Sequence, residues 1–228
     1  MTEGRGGLDA VLWDMDGTLV DTEPYWIEAE YVLVAEHGGR WSEADAHALV
    51  GSPLLVSAQY IRERGGVDLE PLEIVHRLQD HVVAQVDKVT HWRPGARALL
   101  DEVVAAGVPC ALVTMSWEPL AEAVVRQLPP GTFAAVVTGD QVTNGKPDPE
   151  PYATAVEMLG ARAERCVAIE DSPTGLASAE AARVPTIGVP HMVPIASAPG
   201  RTVVQTLEGL GLDDLSALVA TRNAVSEP

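Results

Sequence analysis

The sequence is short of basic residues, of lysine above all, of cysteine and of long apolar runs. Against 33 acids stand 15 lysines and arginines, which leaves the 228-residue chain at a formal charge of −18. So acidic a chain lacks the basic footprint that nucleic acid or an anionic membrane surface requires, and neither is expected as a partner. The longest nearly apolar stretch, Val103 to Val113, has 11 residues and is broken by Gly107 and Pro109. It is too short to cross a bilayer. The opening MTEGRGGLDAVLWDMD has no basic-then-apolar leader, so no signal peptide is expected. The two cysteines, Cys110 and Cys166, sit inside apolar runs with no CxxC, as buried thiols of a reduced cytoplasmic protein would. Oligomeric state is left open, with a monomer slightly favoured.

What is present reads as a globular chain. At 46 % hydrophobic and 21 % charged residues, wholesale disorder is excluded. The length suits one domain, or one domain carrying a sizeable insertion. Residues 1–7, with Gly4, Gly6 and Gly7, read as a loose tail. Short apolar runs then recur at Ala10–Trp13, Cys110–Val113, Ala134–Val137, Cys166–Ile169 and Thr186–Val189, with a weaker one at Thr202–Thr206. Each suits a buried strand better than a helix. Helical patterns lie between them, at Pro94–Ala106, Glu118–Leu128, Pro149–Leu159 and Ser172–Ala182.

This alternation predicts an α/β fold, a Rossmann-like parallel sheet with helices on both faces. The segment 23–90 departs from it, with helical periodicity and no convincing strand. It reads as a helical cap inserted after the first strand, with residues 1–22 and 91–228 forming the core. The cap carries twelve acids against five bases. Asp21-Thr22 just before it read as the N-cap of its first helix.

Right-handed crossovers bring all strand carboxyl ends to one edge, where open α/β sheets bind ligands. The residues there carry chemistry. Asp14-Met15-Asp16-Gly17-Thr18 follow the first strand, and Thr114-Met115-Ser116 the second. Gly145-Lys146-Pro147-Asp148-Pro149 lie farther on, and Glu170-Asp171-Ser172 follow the Cys166 strand. These residue types suit phosphoryl transfer, in which diffuse negative charge needs a cation, an ammonium and hydroxyl or amide donors. Asp14 and Asp171, with Glu170 as a further candidate, can hold Mg2+, a hard ion that prefers oxygen. A carboxylate beside that ion can attack phosphorus. Asp16 is placed to protonate a leaving alkoxide and later to deprotonate water. Gly17 permits the turn that swings Asp16 over the site. Thr114 offers a hydroxyl, and Lys146, one of only two lysines, a compact mobile ammonium.

Asp14-Met15-Asp16-Gly17-Thr18, Thr114, Lys146 in Gly-Lys-Pro-Asp-Pro, and Glu170-Asp171-Ser172 resemble the four motifs of the haloacid dehalogenase-like superfamily. The resemblance covers residues 8 to 210 in the right order, and the helical insert is similar to the cap of the β-phosphoglucomutase-like subgroup. It implies a Mg2+-dependent phosphatase that forms an aspartyl phosphate on Asp14, with Asp16 as acid and base. Thr114 and Lys146 would hold the phosphoryl oxygens. Asp14, the Asp16 carbonyl and Asp171 would hold the metal, with Glu170 a direct or indirect contributor. The dehalogenases of the superfamily need neither the metal nor the second Asp, so retention of Asp16 and Asp171 speaks against that activity.

A sugar-phosphate mutase is the alternative, and it must park a second phosphate on fixed cations. The corresponding cap loop, Leu49-Val50-Gly51-Ser52-Pro53-Leu54, has no Lys or Arg. Trp117-Glu118 stand where the loop after Thr114 would supply one, and Trp26 replaces the histidine that the mutases carry. The substrate implied is a small phosphorylated metabolite, a sugar or polyol monophosphate, with Trp26 and Trp117 facing its C–H surfaces. Trp26 also falls on one helical stripe with Ala29 and Leu33, the pattern that plain cap core would give. A non-catalytic sensor of a phosphometabolite is the third reading.

Overall fold

The computed structural model describes residues 7 to 226; the expected tail, except Gly7, lies outside them. Six strands form one sheet: β1 (Ala10–Trp13), β2 (Cys110–Val113), β3 (Ala135–Val137), β4 (Cys166–Glu170), β5 (Thr186–Gly188) and β6 (Arg201–Val203). All neighbours pair in parallel, in the order β3-β2-β1-β4-β5-β6. The parallel α/β sheet expected from the apolar runs is therefore the fold. Strands β1, β2 and β4 are buried along their whole length, which is why they read as unbroken apolar runs rather than alternating ones.

Alternation survives in residue size. Val11, Trp13, Leu112, Val167 and Ile169 point into the larger hydrophobic cluster. Ala10, Leu12, Ala111, Val113, Cys166 and Ala168 point to the other face, beneath Tyr152 and Ala155. Small side chains on that second face let helices approach the sheet closely.

Helices α1 (Glu23–Glu36), α2 (Glu43–His47), α3 (Leu54–Gly65) and α4 (Pro71–Lys88) all lie between β1 and β2. In α4 the buried Ile74, Val75, Leu78, Val82 and Val86 recur at helical spacing and form the stripe onto which α1 and α3 pack. Helix α4 also meets α6 (Glu118–Val125), tying the inserted helices to the sheet side. The outgoing and returning chains run side by side, with Val20 bridging Trp92 and Asp21 N–H donating to the His91 carbonyl. Helices α5 (Ala96–Ala105), α7 (Glu150–Leu159) and α8 (Pro173–Ala181) flank the sheet, followed by α9 (Leu212–Ser226).

The structure departs from the sequence reading at four elements, the first being α5, which starts at Ala96 rather than Pro94, behind Gly95 at φ +78°. The last strand starts one residue earlier and stops at Val203, whose pairing with Gly188 is the last between β6 and β5. Helix α6 ends at Val125 rather than Leu128, because Gln127 and Leu128 close tight turns before Pro129. Helix α9 was not anticipated, although its Leu215 and Val219, one turn apart, are buried in the larger cluster. Among the described residues no helix is long and apolar enough to cross a membrane.

Candidate active site

The site lies where the chain direction across the sheet reverses: β1 is central, with β2 on one side and β4 on the other. Asp14 leaves the end of β1 with its N–H bonded to the Ile169 carbonyl of β4. The next turn closes on itself, Gly17 N–H to the Val20 carbonyl at 2.8 Å. Gly17 has φ +85°, a conformation that disfavours side chains, and a Cβ there would run into the Asp171 carboxylate. The expected turn is thus present, and it places Asp16 beside the ends of β2.

Lys146 reaches in from the loop before α7 and is buried. Its Nζ donates to Asp14 Oδ1 at 2.7 Å, to Glu170 Oε1 at 2.6 Å and to the Val113 carbonyl at 2.9 Å. All three of its donors are therefore used. Burial works against the ammonium, but Asp14 and Glu170 together outweigh it and raise its pKa, so Lys146 stays charged. Burial, then the charge of Glu170, pushes Asp14 up to about 7. Burial, then Asp14, pushes Asp171 up to about 9. Oδ2 of Asp14 is buried with no hydrogen-bond partner. Carboxylate oxygens of Asp14, Glu170 and Asp171 lie within 4.8 Å of one another, a group that could hold a metal ion.

Asp16 is held differently. Oδ1 accepts from the Thr22 hydroxyl at 2.5 Å, and Oδ2 accepts from the Ser116 hydroxyl at 2.8 Å and the Thr114 hydroxyl at 3.1 Å. Thr22 does occupy the N-cap position of α1, but its side chain makes no capping bond. The sequence reading of Thr22 as a cap is corrected: its hydroxyl holds Asp16 because the tight turn brings the acid nearer than the helix N–H groups.

Thr114 meets the site as expected, though its hydroxyl is engaged by Asp16 and by Ser116 N–H at 3.0 Å. Glu170 is fully buried and accepts four bonds: Lys146 and Tyr152 OH (3.0 Å) on Oε1, and Ser172 N–H (3.2 Å) and hydroxyl (3.0 Å) on Oε2. Such a carboxylate orients Lys146.

The bonds of Thr22 and Ser116 to Asp16, and any role for Tyr152, escaped the sequence reading. Ser116 stood two residues after Thr114, where a second hydroxyl at a strand end was visible. The signal for Tyr152 was weaker, since a tyrosine in a helix reads as core until its hydroxyl is found on Glu170.

Gly175, in the first turn of α8, packs so close to Glu170 that a Cβ would collide with the carboxylate. Gly175→Ala is expected to destabilise the fold by about 1–3 kcal/mol and to lower turnover with it, as urea titration beside an activity assay will report.

A cavity of about 900 Å³ opens above these residues, between the sheet edge and the inserted helices. Trp26 and Trp117 both line it. Trp26 also packs on the hydrophobic core, and the ring of Trp117 meets His76 edge-on at 5.8 Å. Six carboxylates line the cavity, namely Asp14, Asp16, Glu23, Glu30, Asp140 and Asp171. Facing them are Lys146 and the imidazole of His191, which sits 3.2 Å from Asp21. Among the described residues no arginine lines it.

Burial pushes Glu30 up to about 8, opposed by the bond from Trp41 Nε1 at 3.0 Å and reinforced by Glu23. A carboxyl raised above its unfolded value stabilises below the unfolded pKa and loses that contribution as pH climbs through the folded one. Glu30→Gln is therefore expected to leave Tm near wild type at pH 5 and to raise it at pH 9. An equal Tm difference at both pH values would count against a buried, proton-bearing Glu30.

Known proteins place the chain. It is 36 % identical over 194 residues to a phosphorylated carbohydrates phosphatase of Thermotoga maritima, covering 81 % of this chain and 86 % of the relative. It is 31 % identical over 194 residues to hexitol phosphatase A of Escherichia coli, with 78 % and 81 % covered. A variant of CbbY from Rhodobacter sphaeroides, crystallised with xylulose-(1,5)bisphosphate, superposes with a TM-score of 0.82 at 27 % identity, covering 91 % of this chain and 99 % of that one. The sequence profile of the haloacid dehalogenase-like hydrolases matches residues 11–189, a span running from β1 past the end of β5 and holding Asp14, Asp16, Thr114, Lys146, Glu170 and Asp171. With that match and this geometry, the chain belongs to the haloacid dehalogenase-like hydrolase family.

Proposed function

We propose that the protein is a Mg2+-dependent phosphatase of a small sugar or polyol monophosphate, acting in the cytoplasm through a phosphorylated Asp14. The observation that carries this is the pairing of a buried, half-unpartnered Asp14 carboxylate with Lys146, in a cavity where no arginine among the described residues stands to hold a second phosphate. Sequence kinship to carbohydrate and hexitol phosphatases supports the reading. Helices α1–α4, residues 23–90, serve as the cap over the sheet edge.

The residues fit a divalent cation. Four carboxylates, Asp14, Asp16, Glu170 and Asp171, converge with a single ammonium, and burial with mutual repulsion raises Asp14 and Asp171. Asp14, Asp171 and the Asp16 carbonyl would hold Mg2+, with Glu170 contributing through Lys146. When bound, the ion supplies charge neutralisation that lets a carboxylate approach a phosphoryl group.

The Asp14 carboxylate attacks phosphorus and the ester P–O bond breaks. Asp16, protonated, gives its proton to the departing alcohol oxygen. Lys146 shifts a donor from Asp14 to a phosphoryl oxygen as Asp14 loses its charge on phosphorylation, and Thr114 and the neighbouring amides complete the cradle. A water then loses its proton to Asp16 and attacks phosphorus, releasing phosphate and restoring Asp14. The three hydroxyls of Thr22, Thr114 and Ser116 keep Asp16 in place for both transfers.

A screen of sugar and polyol monophosphates for phosphate release tests the proposal. Conversion of glucose 1-phosphate to glucose 6-phosphate, stimulated by a bisphosphate and without net phosphate release, would overturn it in favour of a mutase.

A further inference from the structure

A second cavity, of about 180 Å³, shares no lining residue with the catalytic one among the described residues. Three distant segments meet around it: Thr18 of the turn after Asp14, Arg93 of the chain returning from the inserted helices, and Gln205, Thr206 and Glu208 of the loop after β6. Arg93 N–H donates to the Leu19 carbonyl at 3.0 Å, which lays the returning chain along the turn. The loop is seated closely too, since a Cβ on Gly95 would strike the Leu207 and Glu208 backbone. The volume is below the roughly 300 Å³ at which clefts for organic ligands begin. It suits a small ion better than a metabolite.

Its polar groups say which ion. The Thr18 hydroxyl is fully buried and has no hydrogen-bond partner, a costly state for a group that can donate and accept. Arg93 forms no ion pair among the described residues, whereas Arg97, four residues on, holds Asp101 at 2.9 Å. Glu208 lines the same small cavity, yet the two do not pair; its carboxylate accepts from the Thr206 hydroxyl at 3.4 Å. A guanidinium and a carboxylate that face one cavity of this size without meeting match a third group between them. That group accepts from Arg93 and Thr18 and donates to Glu208. An oxyanion that keeps a proton has this pattern. Phosphate near neutrality keeps one, whereas sulfate, alike in size and shape, has none to give.

We propose that Thr18, Arg93 and Glu208 form a binding site for inorganic phosphate, separate from the catalytic cavity. The Arg93 guanidinium and the Thr18 hydroxyl donate to its oxygens, and Glu208 accepts from its P–OH group. A phosphate there joins the catalytic turn, the returning chain and the loop after β6 into one bonded unit. The site goes beyond the phosphatase reading and does not depend on it, although phosphate is the ion that such a reaction releases.

Calorimetric titration of the full chain with inorganic phosphate in EDTA tests it, because without a dication the catalytic carboxylates repel the same ion. One phosphate per chain is expected to bind, and sulfate about tenfold more weakly or worse. Arg93→Gln should weaken phosphate binding about tenfold or more. Glu208→Gln should bring sulfate up to the affinity of phosphate. Thr18→Val separates a binding role from a structural one. It removes a buried hydroxyl that has no partner, so Tm without phosphate should not fall, while phosphate binding should weaken about tenfold. Should that variant fail to fold, Arg93→Gln, at a half-buried position, carries the test. A wild-type chain that binds no phosphate would overturn the proposal, and so would affinities left equal by both Arg93→Gln and Thr18→Val. Equal binding of sulfate by the wild type would overturn it too, since Glu208 would then have no part. No turnover is read, so these outcomes stand whether or not the chain hydrolyses any ester.

Discussion

Asp14→Asn is expected to abolish phosphate release, with a fall in kcat of at least about 10⁴-fold, the scale seen when a covalent nucleophile is removed. Asn matches Asp in shape, and its amide oxygen can still accept from Lys146, so the loss will not come from collapse of the site. Two of the three neighbouring carboxylates are not free to take over. Asp16 is bonded by three hydroxyls, and Glu170 has two donors on each oxygen. Only Asp14 combines a position at the end of the central strand with an unpartnered carboxylate oxygen. Far-UV circular dichroism matching wild type, beside absent turnover, is the expected pair of results. Turnover within a small factor of wild type would sink the covalent mechanism.

Removal of the metal should be nearly as severe. Inside the site Lys146 is the single ammonium facing Asp14, Asp16, Glu170 and Asp171, and its three donors are already taken. A phosphate ester brings further negative charge into that field. Without a dication, repulsion and desolvation both oppose binding and attack. Metal stabilisation of such a transition state amounts to several kcal/mol, so exhaustive EDTA treatment should lower phosphate release on the order of 10³-fold or more. Mg2+ should restore it, and should also raise Tm, because it binds the folded carboxylate cluster and not the separated residues. Full activity after chelation would show that Lys146 alone suffices.

The fold was legible because its signals are local. Apolar runs of strand length, helix starts at Pro149 and Ser172, and the glycine breaks at 38–39, 51 and 65–66 report choices made within a few residues. Even the strand ends followed, since a polar cluster directly after an apolar run can only lie at the carboxyl edge. Boundaries were less visible where capping decides them, as at Val125 and Val203. Thr22 shows the limit most plainly. As an N-cap it was a reasonable local reading, but a tertiary neighbour, the Asp16 carboxylate, competes for the same hydroxyl and holds it.

Trp26 shows a different limit. Its stripe with Ala29 and Leu33 suggested core, its place after the first motif suggested substrate, and in the structure it packs on the core while also lining the cavity. Periodicity reports which face of a helix is turned inward, not whether that interior is protein or void. The acidic balance divides in the same way. Composition argued against nucleic acid as a partner, but only the cavity reveals that Glu23 and Glu30 face inward.

By itself the sequence determined the sheet, the helical insert, and the four clusters that meet at its edge, because strand order and crossover handedness leave the carboxyl ends no other place to go. The tertiary structure alone decided who bonds whom. Thr114 reaches Asp16 across 98 residues and Lys146 reaches Asp14 across 132, and neither bond has a local signature. Which carboxylate keeps a free oxygen, which is held by hydroxyls and which serves a lysine depends on ångström-scale packing of distant segments. No spacing along the chain encodes that.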